Sequence, residues 1–493
     1  MTSSDKKSLE GLPYWPATEI IQKIKCKEVS VETVVTLFLE RIEKYNFFIK
    51  AVVFIANKAE IIAEARDKDR LLNKGIDIGE LHGLPITVKD SFNVKGMTTS
   101  NGQSKYKDYV AQEDAELIRR LKNAGAIILG KTNLPLFSID WQTTNTWYGR
   151  TNNPYDLNRV AGGSSGGSAA AIAMAFSALE LGSDAGGSIR VPAHFCGICG
   201  LRPTEGALSN RGQFKLPNKT QGHRFLTVPG PLAKNVGDLL LVMPILWDNN
   251  ALQAELSPLK FNSSNWDGKK LNIAYSNSIN NIEVDNEYQT IFTGFIHKLN
   301  NLNHKVQRDC PQYDEATAYQ LHGRLLGFEI DAGSPVWTWL TTWFFYLFIL
   351  FKYRDRFWAR GVATGIGMSA TKYLETLQRK DALTDVYTGF FEKHDIWITP
   401  VASITAFKHQ TSGKAFAINS NKVPYTTAMA GFNFSTALSG HPIIVIPIGQ
   451  TSDGMPVGVQ IHAKKWTDKK LLEIAQYLER LTIGFIKPRS SDI

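Results

Sequence analysis

Hydrophobic and polar positions follow two periods in the N-terminal third of the chain, one typical of helices and one typical of buried strands. Ser30 is a candidate N-cap, and apolar positions recur after it at helical spacing as far as residues 45–46. Residues 59–70 show a second helical pattern, and Asp114 is a candidate cap for a helix that closes at Gly125. Short apolar runs rich in β-branched residues lie between these helices, at 51–55, 84–88 and 126–130. The alternation predicts an α/β fold around a central sheet.

The pattern changes between residues 162 and 188. Two Gly/Ser clusters, GGSSGG at 162–167 and GSDAGGS at 182–188, flank the Ala-rich segment SAAAIAMAFSALEL at 168–181. Because Ala has the best helix propensity and packs closely, we predict one buried helix over 168–181. Strand patterns return at 441–449 and 454–461. Since no internal repeat or low-complexity linker interrupts the chain, we expect one continuous domain over residues 1–493.

Composition narrows the classes of function. Hydrophobic residues make up 43% and charged residues 20% of the chain, which is ordinary globular usage and excludes general disorder. The net charge of +9 would favour an anionic membrane surface or nucleic acid as a partner. No cluster of Lys and Arg alternates with base-stacking aromatic residues, so we expect no nucleic-acid partner.

The cysteines and the N-terminus indicate a reducing compartment. Four cysteines are too few for a disulfide-held secreted domain. Cys196 and Cys199 form a C-x-x-C without a second pair at zinc spacing, so we expect two small buried residues there. The first 16 residues lack the apolar stretch of a signal peptide. We therefore expect a cytoplasmic protein, with peripheral association with a membrane left open.

The Gly/Ser clusters allow several interpretations. Neither cluster contains G-K-[ST] or a G-x-G-x-x-G after a strand, which excludes a P-loop and disfavours a dinucleotide fold. Glycines that only permit tight helix–sheet packing would not explain hydroxyls at both ends of one helix. Residues 162–166 match G-x-S-x-G, the nucleophile elbow of α/β-hydrolases, although the preceding residues are loop-like. An esterase of that type, with a histidine base, stays an alternative.

A further interpretation combines both clusters with a lysine motif, GLPITVKD, at 83–90. The run from Thr144 to Thr204 contains NTWYGRTNNP, VAGGSSGGS, GSDAGGSIRVPA and CGICGLRPT. DIWITP, GHPIIVIPIG and GMPVGVQI follow at 395–400, 440–449 and 454–461. These motifs resemble the amidase signature family, which includes fatty acid amide hydrolase and bacterial amidases. The resemblance spans most of the chain, with a core signature at about 83–212, and is weakest from about 250 to 390.

The resemblance implies a single domain in which helices cover both faces of a central mixed β-sheet. It also implies three catalytic residues: Lys89 as base, Ser164 as a bridging serine after a cis peptide bond, and Ser188 as nucleophile. A serine hydroxyl needs such a base, and a lysine can act as one only when neutral, whereas free lysine titrates near ~10.4. Because burial lowers the pKa of an amine, we expect Lys89 in a closed, uncharged pocket. The chemistry requires no metal or organic cofactor.

The resemblance assigns supporting roles to residues near the nucleophile. The oxyanion hole would consist of the backbone N–H groups of Ala185, Gly186, Gly187 and Ser188. Asp184 and Arg190 are expected to pair and hold the loop around the nucleophile. Ser165 has two open interpretations, a hydrogen bond to the catalytic loop or a helix N-cap. Outside the clusters, Asp90 is expected to fix backbone and Lys131 to be a surface or scaffold residue.

Residues 332–351, AGSPVWTWLTTWFFYLFILF, carry no charge and are long enough to span a membrane. Catalytic motifs precede this segment and fold motifs follow it, so one crossing would divide a single domain. We therefore predict an apolar helical insertion at about 332–360. Its Trp and Tyr content suits a membrane interface, as do the basic residues that follow it, Lys352, Arg354, Arg356 and Arg360. Contact of 336–351 with a membrane or an acyl chain, and packing in the core or at a homodimer interface, stay open.

These inferences predict an amidase that cleaves an N-acyl amide through an acyl-enzyme on Ser188. The small-molecule substrate is expected to carry a hydrophobic acyl or aryl group and to yield an acid and an amine or ammonia. The alternative within the family is the glutaminase subunit of a tRNA-dependent amidotransferase, which would need polar glutamine-binding residues and a partner subunit. A catalytically inactive lipid-binding scaffold is disfavoured because the complete set of Lys89, Ser164 and Ser188 is present.

Overall fold

The computed structural model describes residues 9, 11–214, 226–247, 261, 265–279, 282, 284–302, 304–331, 339–353 and 355–489. The strands are β1 Val52–Ile55, β2 Pro85–Lys89, β3 Ile127–Thr132, β4 Thr144–Asn145, β5 Gly149–Arg150, β6 Asn152–Asn153, β7 Asp156–Val160, β8 Glu180–Asp184, β9 Cys199–Arg202, β10 Val228–Ala233, β11 Asn272–Tyr275, β12 Lys305–Arg308, β13 Ile396–Pro400, β14 Phe416–Ile418, β15 Asn421–Val423, β16 Ile443–Gln450 and β17 Pro456–Ala463. The helices are α1 Ala17–Lys25, α2 Val31–Ile49, α3 Lys58–Asn73, α4 Glu116–Asn123, α5 Gly166–Ala173, α6 Arg190–Phe195, α7 Val236–Leu246, α8 Asn286–Asn300, α9 Glu315–Asp331, α10 Trp339–Tyr353, α11 Arg356–Gly365, α12 Ala370–Phe390, α13 Tyr425–Ala430, α14 Phe434–Leu438 and α15 Asp468–Glu479.

One large mixed sheet organises the fold. Its strand order is β1-β3-β2-β8-β10-β9-β16-β17-β13-β11-β12. β2 lies parallel to both β3 and β8, the strands from β8 through β13 are antiparallel to their neighbours, and β13, β11 and β12 are parallel again. Helices cover both faces of the sheet, so the predicted α/β class with a central mixed sheet is confirmed.

Most of the predicted elements are present. The runs predicted as strands at 51–55, 84–88 and 126–130 correspond to β1, β2 and β3, and the two late patterns correspond to β16 and β17. Ser30 caps α2 as predicted, because its side chain accepts a hydrogen bond from the Thr33 N–H at 3.1 Å. Cys196 and Cys199 are buried free thiols, as expected.

Two local predictions are wrong. The helix predicted over 168–181 ends at Ala173, since Ala175 has a φ of 55° and the chain then enters β8 at Glu180. Pairing of β8 with β2 and β10 thus overrides the helix propensity of the Ala-rich sequence. Asp114 does not cap α4, whose N-cap is Ala115. The Asp114 carboxylate instead accepts hydrogen bonds from the Lys95 N–H and the Lys122 amine.

The predicted insertion consists of separate helices in its described part, α10 and α11, and residues 332–338 and 354 lie outside the described residues. α11 packs tightly against α9 at facing glycines. A Cβ at Gly323 would lie 2.3 Å from the Trp358 carbonyl oxygen, and one at Gly361 would lie 2.3 Å from that of Gln320. Only glycine permits this approach. Within the described ranges, we find no helix with the length and apolar character needed to cross a bilayer.

Parallel pairing of β2 with β8 brings the site together. The carboxyl ends of neighbouring parallel strands meet at one edge of a sheet. β2 ends at Lys89 and β8 ends at Asp184, so the lysine motif and the second Gly/Ser cluster become neighbours there. The first Gly/Ser cluster leads into α5, which packs against β2 and β8.

Candidate active site

Lys89 is buried at the sheet edge among hydroxyl groups. Its Nζ lies 2.7 Å from Ser164 Oγ and 3.1 Å from Ser183 Oγ. Among the described residues, no carboxylate forms an ion pair with this amine. Burial lowers the pKa of Lys89 from 10.5 to about 7, although the charges of Asp184 and Glu180 oppose the shift. The amine is thus poised to exchange a proton near neutral pH.

Ser164 is buried beside this amine and follows a cis peptide bond from Gly163, as the family resemblance implied. Its hydroxyl contacts Lys89, and no described histidine forms a hydrogen bond with Ser164 or Ser188. β7, which precedes the cluster, belongs to a two-stranded ribbon with β6 and is not a strand of the large sheet. The nucleophile-elbow interpretation with a histidine base is therefore wrong.

Ser188 lies in the loop between β8 and α6 and lines a small cavity of about 50 Å³. Its carbonyl oxygen accepts a hydrogen bond from the Ser165 N–H at 3.0 Å, which ties the two Gly/Ser clusters together. The Ser188 hydroxyl forms no hydrogen bond with any described residue, so the structure joins Lys89 to Ser164 and leaves the third member of the predicted set partly exposed in the cavity.

Asp184 and Arg190 form the expected ion pair, with Arg190 Nη2 2.9 Å from Asp184 Oδ1. The same carboxylate also accepts hydrogen bonds from the N–H groups of Gly187 and Ile189. Burial alone would raise the pKa of Asp184, but the guanidinium groups of Arg190 and Arg202 overcome burial and hold it well below 3.8. The loop around Ser188 therefore wraps around a buried anion.

The oxyanion-hole prediction needs one correction. The Gly187 N–H already donates to Asp184 Oδ1 at 2.8 Å, so it is not free to face a substrate. The N–H groups of Ala185, Gly186 and Ser188 donate to no described residue. Gly187 has a φ of 101°, the left-handed region that glycine tolerates, and this turn directs its N–H to the carboxylate. Three of the four predicted donors are thus available.

The remaining sequence predictions concern Ser165, Asp90 and Lys131, and their outcomes differ. Ser165 occupies the N-cap position of α5 without a capping hydrogen bond, and its hydroxyl donates to the Ser183 carbonyl of β8 at 3.3 Å. Its backbone N–H, and not its hydroxyl, binds the loop at the Ser188 carbonyl. Asp90 fixes backbone as expected, since it accepts from the Ser100 N–H. Lys131 is not a surface residue: it is fully buried and lies 3.2 Å from Asp90. It belongs to the scaffold.

Sequence reasoning missed several site residues. Ser183, the second contact of Lys89, lies within the quoted GSDAGGS motif, and its hydroxyl could have been proposed from that position. The cavity at Ser188 is lined mainly by large side chains from distant segments. They are Ile139, Trp141, His322, Leu326, Tyr353, Trp358 and Phe434. No spacing pattern connects these residues, so the sequence carries no signal that they converge.

A family model described as Amidase matches residues 33–472. The fold and this match define a hydrolase of carbon–nitrogen bonds with the amidase signature. The chain belongs to the Amidase family, which confirms the resemblance found in the sequence motifs.

The chain is similar to several known proteins. The chain is 30% identical over 502 residues to a glutamyl-tRNA(Gln) amidotransferase component of Carboxydothermus hydrogenoformans, covering 96% of this chain and 98% of that protein. A solved structure of a vestigial protein complex, described as revealing the origins of an s-triazine catabolic enzyme, matches with a TM-score of 0.79 and 28% identity over 96% of this chain and all of that one. Fatty acid amide hydrolase matches with a TM-score of 0.77 and 21% identity over 97% of this chain and 86% of that one, which shows a shared fold alone.

Proposed function

We propose that this protein hydrolyses amides through an acyl-enzyme on Ser188, with Lys89 as general base and Ser164 as the proton relay between them. The observation that carries the proposal is the buried Lys89 amine, which contacts two serine hydroxyls and no carboxylate of the described chain. Such an amine loses its proton easily because burial disfavours the charged form. Lys131 is the contrast, since it is equally buried but paired with Asp90.

In the proposed reaction, Ser188 Oγ attacks the amide carbonyl carbon as its proton passes to Ser164, whose own proton passes to Lys89. The N–H groups of Ala185, Gly186 and Ser188 would stabilise the negative charge on the carbonyl oxygen. Collapse of the tetrahedral intermediate breaks the carbon–nitrogen bond, and the proton returns through Ser164 to the leaving nitrogen. Water then attacks the acyl-enzyme by the same proton path and releases the acid.

The cavity beside Ser188 supports an apolar acyl or aryl group in the substrate. Four aromatic rings line it, from Trp141, Tyr353, Trp358 and Phe434. Asp140 is the only carboxylate among its described lining residues, and its oxygens accept from the Tyr425 hydroxyl at 2.6 Å, the Trp141 N–H at 2.7 Å and the Ser412 hydroxyl. Lys352 adds a cation 3.6 Å from this carboxylate. A neutral, apolar group therefore fits the cavity better than a charged one.

A second candidate is a glutaminase component of an amidotransferase. It is favoured by the relative that is 30% identical over nearly the full length of both chains and is named as part of a glutamyl-tRNA(Gln) amidotransferase. Glutamine carries an ammonium and a carboxylate on its α-carbon, and both need partners when buried. Near the cavity, the described charges that could supply them are Asp140 and Lys352, which already face each other. Glutamine binding would require this pair to separate.

A panel of primary amides with the same ammonia leaving group separates the two candidates. We expect kcat/KM to rise from acetamide to pentanamide and benzamide, since each buried methylene contributes about 0.8 kcal/mol and the three added by pentanamide predict about a 50-fold gain. Glutamine is the charged counterpart of pentanamide, so the first candidate predicts the lower kcat/KM for glutamine. Hydrolysis and reaction with a fluorophosphonate probe should both disappear in Ser188→Ala.

Each outcome has one meaning. A higher kcat/KM for glutamine than for pentanamide would establish the second candidate in place of the first. Equal values for acetamide and benzamide would refute the apolar substrate class while leaving amide hydrolysis intact. A wild-type protein that neither reacts with the probe nor cleaves any amide would refute the acyl-enzyme itself.

We further propose that the outer face of α10 contacts an anionic membrane surface. Trp343, Phe344, Phe348 and Phe351 are 51%, 60%, 57% and 79% exposed, and their spacing places them on one side of the helix. Phe348 and Phe351 border a groove that also contains three lysines, Lys352, Lys414 and Lys422. Aromatic side chains beside cations suit an interface of acyl chains and anionic headgroups. A second copy of the chain is the competing occupant of this face.

A further inference from the structure

Residues 185–189, between β8 and α6, form the loop that carries Ser188, here called the nucleophile loop. Two side chains from outside this loop bind its carbonyl groups. The Ala185 carbonyl oxygen accepts a hydrogen bond from His322 Nε2 at 2.9 Å. The Gly186 carbonyl oxygen accepts one from Trp141 Nε1 at 3.0 Å. His322 belongs to α9 and Trp141 to the segment after β3, so the loop is fixed by residues that no catalytic motif contains.

The contacts of His322 determine its tautomer. Trp358 Nε1 lies 3.2 Å from His322 Nδ1, and an indole N–H can only donate. Nδ1 therefore accepts, and the proton on Nε2 donates to Ala185. Burial lowers the pKa of His322 to about 4, so the ring stays neutral at neutral pH with both nitrogens engaged. The ring also stacks on Phe434, with 3.8 Å between the ring centroids.

The hydrogen bond to Ala185 sets the direction of the next N–H group. The peptide between Ala185 and Gly186 is planar and trans, so its C=O and N–H point in opposite directions. With the oxygen held by His322, the Gly186 N–H faces the other way and donates to no described residue. Accepting a hydrogen bond at the oxygen also polarises the amide and strengthens its N–H as a donor.

The following peptide unit shows the opposite outcome. This unit lies between Gly186 and Gly187. Its carbonyl oxygen, on Gly186, accepts a hydrogen bond from Trp141, but its N–H, on Gly187, already donates to Asp184. The two units are adjacent, and each has its carbonyl held by a ring N–H. Of the two, the unit held by His322 leaves its N–H without a described acceptor beside Ser188. The arrangement therefore separates a unit available to the substrate from a unit that anchors the loop.

We propose that His322, oriented by Trp358, is a positioning residue that directs the Gly186 N–H toward the oxyanion of the tetrahedral intermediate. The inference rests on the proposed acyl-enzyme mechanism and extends it to the helices α9 and α11. Trp358 is itself placed by Asp355, the N-cap of α11, which accepts from the Trp358 backbone N–H at 2.9 Å. Space is closed around the loop, since a Cβ on Gly186 would lie 3.0 Å from His322 Nε2. The insertion thus supports catalysis as well as covering the cavity.

The test compares His322→Phe, which keeps a ring against Phe434, with His322→Gln, which restores a donor. For the best amide of the panel, we expect His322→Phe to lower kcat about 10- to 100-fold, less than the loss of a whole oxyanion donor, with KM changed less than about threefold. Binding of a trifluoromethyl ketone, whose adduct with Ser188 carries an oxyanion, should weaken by the same factor as kcat. His322→Gln should recover part of both losses.

Trp358→Phe tests the second part of the inference, because it removes the indole N–H that donates to His322 and keeps an aromatic ring against Phe434. We expect a smaller loss of kcat, and no additional loss when it is combined with His322→Phe. The pH dependence of kcat/KM should stay that of the wild type, since neither variant removes the Lys89 base. Should His322→Phe fail to fold, His322→Gln and Trp358→Phe carry the same comparison.

The inference is overturned if folded His322→Phe retains kcat within twofold of the wild type. It is also overturned if only KM rises, because His322 would then be a wall of the substrate cavity. A difference between kcat loss and inhibitor weakening of more than tenfold would contradict an effect on the oxyanion. If the wild type itself cleaves no amide and leaves the fluorophosphonate probe unreacted, the proposed function fails first, and this result is distinct from the other three.

Discussion

The sheet edge that carries the Gly/Ser clusters and the region of α9–α11 both line one cavity, but their residues are held in different ways. At the sheet edge, short side chains and backbone groups are held by hydrogen bonds, such as those of Asp184 to Gly187, Ile189 and Arg190. In the insertion, rings pack against rings: Tyr353 lies edge-on to Trp358 at 5.4 Å between centroids, and Trp358 stacks on Phe434 at 5.8 Å.

The two regions of the cavity are therefore determined by different interactions. Hydrogen bonds at the sheet edge have defined directions, so a change of one atom there removes a reacting group or an anchor. Ring packing in the insertion is less directional, so its residues define the size and apolar character of the cavity. The two regions meet at the Ala185 carbonyl, where His322 adds one directional contact to the packed side. Substitutions in the two regions should therefore differ in size and in kind.

The largest effect is expected for Lys89→Met, which keeps the volume of the stem and removes the proposed base. We expect kcat/KM to fall about 10⁴-fold, as when a member of a hydrolase triad is removed. In the proposed mechanism, only the neutral amine can accept the proton, so activity should fall as pH falls. With a pKa of about 7, the neutral fraction drops from about 90% at pH 8 to about 10% at pH 6, which predicts a matching loss of kcat/KM.

The control for Lys89→Met is Lys89→Arg, which keeps a cation that cannot serve as a base at neutral pH. Both variants should be equally inactive. Substantial activity of Lys89→Arg, or an acid limb that persists unchanged in Lys89→Met, would show that another group accepts the proton. Fluorophosphonate labelling should slow in both variants by a similar factor.

A large structural effect is expected for Asp184→Asn, because it removes the anion around which the nucleophile loop wraps. Breaking a buried ion pair typically costs about 3–5 kcal/mol in the free energy of unfolding. The folded pKa of Asp184 lies below that of the unfolded carboxyl, so its stabilisation is present above about pH 4 and is lost as pH falls. The difference between variant and wild type should therefore be full at pH 7 and narrow below pH 3.8.

Urea unfolding at pH 7 and at low pH measures this effect. The matched control is Glu32→Gln, whose partner Arg66 lies 2.7 Å away on the surface with 65% of its side chain exposed. Exposed ion pairs contribute little, so we expect no measurable shift of the urea midpoint for Glu32→Gln. Equal shifts for the two variants would contradict the anchoring role of Asp184.

Part of the sheet edge could be predicted from the sequence. β2 and β3 form at the short apolar runs that predicted them, and the Lys89 amine contacts the Ser164 hydroxyl as the motif resemblance implied. The prediction failed where tertiary contacts overrode a local sequence preference. The Ala-rich run continued as a helix in the prediction, but burial beside β2 makes its last residues part of β8. The motif predicts Gly187 as a free donor, because no pattern in the sequence indicates that Asp184, three residues earlier, accepts a hydrogen bond from its N–H.

The insertion could be predicted only in character. Its apolar composition indicated buried or interfacial helices, and α10 and α11 are helices. The aromatic cavity needs Trp141, Tyr353, Trp358 and Phe434 to converge from segments far apart in the chain. Side-chain identity gives no distance between such segments, so the cavity and the contact of His322 with Ala185 emerge only from the fold.

The smallest effect on the enzyme itself is expected on the outer face of α10. Phe348→Ser combined with Phe351→Ser removes two exposed rings from the proposed membrane-contacting face. Stability and hydrolysis of soluble benzamide should stay unchanged, because neither ring contributes to the cavity at Ser188. Co-sedimentation with phosphatidylserine–phosphatidylcholine vesicles should weaken about tenfold or more, since inserting even part of two phenylalanine rings contributes over 1.4 kcal/mol. Wild-type binding should also weaken with salt, because the lysines of the groove face anionic headgroups.

Phe47→Ser combined with Phe48→Ser provides the comparison for this face. These phenylalanines are 78% and 42% exposed on α2, so they match the α10 pair in chemistry but not in position. Their replacement should leave vesicle binding unchanged, because the groove lysines and the aromatic face of α10 stay intact. Equal weakening by both double variants would reduce the effect to general hydrophobicity. A wild type that ignores vesicles and elutes as a dimer, and a Phe348/Phe351 variant that elutes as a monomer, would identify a second copy of the chain as the occupant of this face.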